Sequence, residues 1–387
     1  METFWLASWA AAPMNVWAPD SPVSGFHGQT VREVARLSMG GDGVVIRLTN
    51  EYGSNPIHLD LVEIARAGED GRIERMTTRP VTFAKSRSAV IYPGAPLISD
   101  PVDMEVEPLT RLSVSFYGAG FIPVETHHIE AQQTAFISVP GNFSSDDRMI
   151  VQRTTTSHYL LSAVYTRTPA TAHAVVCFGD STTDGYGSSI DADRRWPDVL
   201  AERLVHAGLQ VAVLNQGIGG NRLLHGRRGA RALDRFDRDV LSLNGVTHLI
   251  LLEGINDILW PNTVLAGPDE LVTAPEIIGA LHQLLIRARM AGIKVMLGTI
   301  MPFEGALPEF PSGNYYSPEK ERIRQTVNQF IREESSADAV VDFDALVRDP
   351  SRPARLLPTY DCGDHLHPND AGYRAMAEGI DLSFFLR

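Results

Sequence analysis

Ala174-Val175-Val176-Cys177-Phe178-Gly179-Asp180-Ser181-Thr182-Thr183 decides how this chain reads. Five apolar residues in a row have the signature of a strand covered on both faces, as in a parallel sheet, and the glycine-bearing turn that ends them delivers a serine hydroxyl. Four further runs of this type follow: Val211 to Asn215, Val246 to Glu253, Ile293 to Thr299 and Ala339 to Asp342. Between and after them, Trp196 to Ala207, Ala230 to Leu241, Glu276 to Ala291, Glu319 to Glu334 and Asp370 to Phe384 carry apolar residues at three and four spacing. Strand and helix in alternation build βαβ units, so the expectation is a three-layer α/β domain on a five-stranded parallel sheet.

Upstream of Thr168-Pro169-Ala170-Thr171 the pattern is different. Val44 to Thr49, Pro80 to Phe83, Ser88 to Tyr92, Met104 to Val106 and Arg111 to Tyr117 are short, rich in β-branched and aromatic residues, and separated by turn material such as Gly40-Gly41-Asp42-Gly43 and Tyr92-Pro93-Gly94. That is the signal of an all-β sandwich or jelly roll. The expected organisation is an accessory β domain over 1–168 and an α/β domain over 169–387.

Composition narrows the function classes. At 387 residues, 44% hydrophobic and 21% charged, the chain has the balance of an ordinary folded protein with two domains. Its formal net charge of −13 repels a polyphosphate backbone, so nucleic acid is excluded as the expected partner. No stretch approaches the roughly 20 apolar residues of a membrane-spanning helix. The start, Met1-Glu2-Thr3-Phe4-Trp5-Leu6, lacks a positive n-region and does not read as a signal peptide. The chain as written therefore reads as cytoplasmic, or as secreted if a leader has been removed. Two cysteines, Cys177 and Cys362, cannot build a disulfide framework or a thiolate zinc site; Cys177 reads as core and Cys362 as a small apolar neighbour of Asp364.

Open parallel sheets bind ligands beyond the carboxyl ends of their strands. There stand Gly179-Asp180-Ser181, then Asn215-Gln216-Gly217-Ile218-Gly219-Gly220-Asn221, then Glu253-Gly254-Ile255-Asn256-Asp257, and, before the last helix, Asp364-His365-Leu366-His367-Pro368. A serine becomes a competent nucleophile when an imidazole oriented by a carboxylate takes its proton. Asp364 and His367, three residues apart, fit that pair, with Nδ1 on the carboxylate and Nε2 left for Ser181. The negative charge that develops on an attacked carbonyl needs donors already in place, and backbone at Gly219-Gly220, the Asn256 carboxamide and the Ser181 amide can supply them.

These four blocks, in this order on this α/β pattern, resemble the SGNH (GDSL) hydrolase superfamily of esterases, lipases and carbohydrate acetylesterases. The resemblance runs from about Ala170 to the C-terminus. It implies Ser181 as nucleophile, His367 as general base and acid, Asp364 as its orienter, and the Ser181 N–H, the Gly220 N–H and the Asn256 side chain as the oxyanion hole, with no metal and no cofactor. The first half, from Ser8-Trp9-Ala10 through Arg36-Leu37-Ser38 to Gln133-Thr134, is similar to the β-sandwich that precedes the hydrolase domain in some bacterial members.

Gly217-Ile218-Gly219-Gly220 is out of register for a dinucleotide loop, because Arg222 stands where the third glycine belongs. No Gly-x-Ser-x-Gly elbow occurs. A metal on Asp364, His365 and His367 with His225 or Cys362 offers too few ligands of known proximity, and His365 reads as structural or solvent-facing. Arg222, Arg227, Arg228 and Arg231 read as a solvated helix start. Pro302-Phe303-Glu304 to Tyr315-Tyr316-Ser317-Pro318 reads as a pocket wall or as a plain surface connection. Trp5, Trp9 and Trp17 read as core, and His127-His128 has no nameable partner. The expected substrate is a small ester of a short acyl chain, acetylesterase-like and possibly on a carbohydrate. The readings from other classes are a non-catalytic glycan-binding protein on a hydrolase scaffold and an acyltransferase on the same fold. Neither the oligomeric state nor the alcohol half of the substrate follows from the residues.

Overall fold

Apolar residues at every second position need a partner face, and in the N-terminal half two antiparallel sheets provide one for each other. In the computed structural model, which describes residues 2–17, 23–310 and 314–386, one sheet orders Thr3–Ala10, Leu161–Pro169, Val44–Thr49 and Pro96–Ile98. The other orders Val151–Thr155, Ala135–Pro140, Gln29–Arg36, Arg111–Tyr117, Leu61–Arg66 and Arg79–Val81. Ile46 and Leu48 from the first join Val31, Ile64, Val114 and Phe116 from the second in one buried cluster. Met104-Glu105-Val106, expected as a strand, forms only an isolated bridge from Val106 to Gly41. Pro101 and Pro108 bracket it and deny the ladder its N–H donors. Trp9 lies in the core cluster, while Trp5 and Trp17 are half-buried. His127 and His128 are both buried, and the His128 ring meets the Ala12 carbonyl at 2.9 Å.

The five expected strands form one parallel sheet ordered Val211–Gly217, His173–Gly179, Val246–Leu252, Lys294–Gly298, Ala339–Val341. The first strand in the chain is therefore flanked by the second and the third. The order reverses between the first and third, so a crevice opens beyond their ends. Ser181 follows one of these strands and Asn256 the other.

The long helices are Trp196–His206, Ala274–Met290 and Pro318–Glu333. Two expected helices break. Ala232–Phe236 passes into a π-turn over Asp237–Leu241, and the last helix, Asp370–Glu378, stops at Gly379, after which Asp381 caps a separate 3₁₀ turn at Leu382–Phe385. Three one-turn helices start close behind strands: Ser181–Asp184, Ile255–Leu259 and Phe343–Val347. Among the described residues no helix is long and apolar enough to cross a membrane. By compactness the chain divides into one unit of Met1–Ala174 with Val205–Leu214 and another of Val175–Leu204 with Asn215–Arg387.

Candidate active site

Gly179 admits no side chain, since a Cβ there would lie 2.2 Å from the Leu252 carbonyl oxygen. The chain turns at once into Ser181–Asp184, with the Asp180 carboxylate accepting from the Thr182 N–H at 2.9 Å as N-cap. Ser181 is thus the first residue of a one-turn helix. The helix ends at Gly185, whose φ of +105° suits glycine.

Ser181 Oγ lies 2.8 Å from His367 Nε2, and His367 Nδ1 lies 2.6 Å from Asp364 Oδ2. A carboxylate only accepts, so Nδ1 carries the proton and donates, which leaves Nε2 to accept from the serine hydroxyl. The other Asp364 oxygen accepts the Leu366 N–H at 2.9 Å and the His367 N–H at 2.8 Å. Burial alone would push the Asp364 carboxyl up. The hydrogen bond and charge of His367 and the two backbone donors outweigh it and hold the group well below the usual carboxylate range.

The oxyanion candidates sit on a turn braced from several sides. Gly219 donates its N–H to Asp184 Oδ2 at 3.0 Å, which commits that donor and leaves Gly220 as the one of the pair to consider. Gly220 has a φ of +74°, and a Cβ on it would lie 2.7 Å from Arg228 Cδ and 2.9 Å from the Trp260 ring. Asn256 donates one of its two amide hydrogens to the Asn221 carbonyl at 3.0 Å, so the strand-three helix is tied to the Gly220 turn. The Asn221 side chain in turn donates to the Arg228 and Ala230 carbonyls and accepts from Arg235 Nε at 2.8 Å.

Arg235 is fully buried and is the residue whose part the sequence hides best. Its guanidinium also donates to the carbonyls of Gly179 and Gln216 at 2.8 Å each, stacks 3.9 Å over Phe178 and pairs with Asp239. One side chain thus joins the ends of the first two strands to the Gly220 turn. Asp257, pushed up to about 6 by burial, accepts the N–H groups of Leu223 and Leu224 at 2.7 and 3.0 Å and holds the far side of the same loop. Asp184, Arg235 and Asp257 were legible only as helix or turn residues, because their work is to hold backbone.

Two sequence expectations change here. Arg222 is not solvated: it is buried, pairs with Glu270, donates to the Gly226 carbonyl at 2.7 Å and stacks 4.8 Å over Trp260. Cys362 does neighbour Asp364, with its Sγ within 4.8 Å of an Asp364 carboxylate oxygen, but it is solvent-exposed. His365 pairs through Nδ1 with Asp361 at 2.5 Å and is partly exposed. The segment after the fourth strand reaches the site, since the Leu307 N–H donates to the Asp364 carbonyl at 2.8 Å; residues 311–313 of that segment lie outside the described residues.

Asp180 and Glu253 both line one small cavity with Thr182, Ile255 and Leu366. Burial first, and the Asp180 charge second, push the Glu253 carboxyl well above its ordinary 4.5. A group whose folded pKa exceeds its unfolded one contributes stability that is fully present below the unfolded value and is lost as pH rises through the folded value. Glu253→Gln removes that loss. Thermal unfolding from about pH 4 to pH 9 is expected to show the variant gaining on the wild type as pH rises from 4.5 upward; parallel curves would contradict a buried neutral carboxyl at this position.

The pattern of the GDSL-like Lipase/Acylhydrolase family matches residues 177–375, just over half of the chain. The chain belongs to this family. It is accordingly an SGNH-type carboxylic ester hydrolase. No curated protein matches it. Solved structures similar to this family member include a GDSL-like lipase from Bacteroides thetaiotaomicron, 18% identical, with a TM-score of 0.39 over 53% of this chain and 84% of that one. A carbohydrate acetylesterase family member from Sinorhizobium meliloti is 16% identical, with 0.39 over 54% and 94%. The aryl esterase of M. smegmatis is 17% identical, with 0.40 over 54% and 95%.

Proposed function

We propose that this GDSL-family hydrolase cleaves esters of short acyl chains through a serine acyl-enzyme, with no metal or cofactor, and that residues 169–387 form the hydrolase domain behind an accessory domain over 1–168. The observation that carries the reading is the unbroken chain from Ser181 Oγ through the His367 imidazole to Asp364, 2.8 and 2.6 Å. Ser181 Oγ attacks the ester carbonyl carbon while its proton passes to His367 Nε2, and Asp364 stabilises the imidazolium. The oxyanion is met by the N–H groups of Ser181 and Gly220 and by the second amide hydrogen of Asn256. Collapse breaks the bond to the alcohol oxygen, which leaves with the proton from His367. Water then repeats the sequence, and the acid and free serine are released.

The short acyl preference rests on the polarity of the strand-end loops. Arg228 and His365 stand at this end of the sheet only partly buried, and among the described residues the apolar cavity there, lined by Leu252, Ile255, Ile300, Met301 and Leu366, is small. An acetyl group, possibly on a carbohydrate, is the substrate favoured.

The test is hydrolysis of p-nitrophenyl acetate, butyrate and octanoate by the wild type and by Ser181→Ala, with a chelator present. Chelator-insensitive turnover, falling with chain length and lost in the variant, is expected. Peak activity on octanoate would overturn the short-acyl reading. Equal activity of the two proteins would overturn the assignment of Ser181, and acyl transfer to added alcohols or sugars outpacing hydrolysis would replace hydrolase by transferase.

A further inference from the structure

Tyr186 is an exposed aromatic ring held against the candidate base. Its centroid lies 4.6 Å from that of the His367 imidazole at an interplanar angle of 52°, and 41% of the residue faces solvent. Its backbone has little freedom. The Tyr186 N–H donates to the Ser181 carbonyl at 3.0 Å, and its own carbonyl accepts the hydroxyl of the fully buried Tyr373 at 2.5 Å. Glycines in the left-handed region stand on both sides, with φ +105° at Gly185 and +87° at Gly187. A Cβ on Gly187 would come within 3.0 Å of Cys362, so the turn is packed down on the segment that carries His367. Beyond it, the N–H and hydroxyl of Ser189 are both held by the Asp370 carboxylate, at 2.8 and 2.7 Å.

A tyrosine that stays 41% exposed on so constrained a turn offers a preformed stacking surface. Its position says which half of the ester it meets. The proton that His367 Nε2 takes from Ser181 must be delivered to the departing alcohol oxygen, which requires that oxygen within about 3 Å of Nε2. The carbonyl oxygen, by contrast, turns toward Gly220 and Asn256. The carbon frame attached to the alcohol oxygen therefore begins at the same imidazole against which the Tyr186 ring packs.

Resting on the serine-esterase reading above, we propose that Tyr186 is a specificity-determining residue for the alcohol half of the substrate and selects alcohols that present a flat apolar face, a pyranose ring or an aryl ring, over open-chain alcohols. Stacking of this kind adds about 0.5–1.5 kcal/mol, which corresponds to about 2- to 12-fold in kcat/KM.

The experiment compares kcat/KM on three acetates, phenyl acetate, a monoacetylated methyl pyranoside and n-butyl acetate, for the wild type, Tyr186→Phe and Tyr186→Leu, with Ser181→Ala in parallel. Leucine still covers His367 but offers no ring. The expected result is that Tyr186→Leu loses about 2- to 12-fold more on a ring-bearing ester than on butyl acetate, while Tyr186→Phe keeps the wild-type ratios. Loss on the pyranoside alone assigns the surface to sugars, and loss on phenyl acetate alone assigns it to aryl alcohols. Hydrolysis of the acetyl-enzyme supplies the readout that a merely structural role would move, because the alcohol has already left. A fall in that step equal to the fall on all three esters would make Tyr186 a support for His367 and overturn the proposal, as would unchanged ratios in Tyr186→Leu. Retained activity in Ser181→Ala would instead strike the underlying reading.

Discussion

Ser181→Ala and His367→Ala are each expected to lower kcat by about four to six orders of magnitude, and the double variant to be hardly worse than either. The hydroxyl and the imidazole are 2.8 Å apart and share one proton, so either deletion removes the same event. Without His367 the serine has no acceptor; without Ser181 the imidazole has no nucleophile to activate. Asp364 acts at one remove, orienting the ring through Nδ1 at 2.6 Å and stabilising the cation, so Asp364→Ala is expected to cost less than either. Pre-steady-state acylation and steady-state turnover of p-nitrophenyl acetate measure these losses. Losses that multiply in the double variant would mean that the two residues act in separate steps.

The candidate site residues were easier to read in the sequence than the residues that hold them. Strand and helix alternation placed all five sheet strands, because a strand buried on both faces is written as an apolar run with no other sensible fate. Ser181, Asn256, Asp364 and His367 stood out because four such blocks follow strands or precede the last helix in one order, while the choice of Gly220 over Gly219 came from the family resemblance. Arg222 misled because four arginines close together read as a solvated face. Its burial depends on Glu270 and Trp260, which lie 48 and 38 residues further along the chain. Arg235 was hidden for the same reason: its partners Gly179, Gln216 and Asn221 offer two carbonyls and a carboxamide, groups that carry no signature. The helix breaks at Phe236 and Gly379 were equally illegible, since apolar spacing continues through both.

Asn256→Ala is expected to lower kcat about 100- to 1000-fold with little change in KM. The carboxamide has two hydrogens. One is committed to the Asn221 carbonyl at 3.0 Å, and that bond aims the other, because it fixes the plane of the amide against the turn that carries Gly220. A donor fixed in this way meets charge that exists only once the serine has attacked, so its loss falls on the transition state and not on substrate binding. Asn256→Asp should be at least as damaging. It replaces a donor by an acceptor and sets a negative charge where negative charge develops, beside Asp257, whose carboxyl burial already pushes up to about 6. The turn itself is held by Asp184 on Gly219, by Arg235 on Asn221 and by Asp257 on Leu223 and Leu224, so these three residues supply the rigidity that makes a single hydrogen bond worth so much. Steady-state kinetics on p-nitrophenyl acetate separate the outcomes: a rise in KM at constant kcat would move Asn256 from the oxyanion hole to ground-state binding.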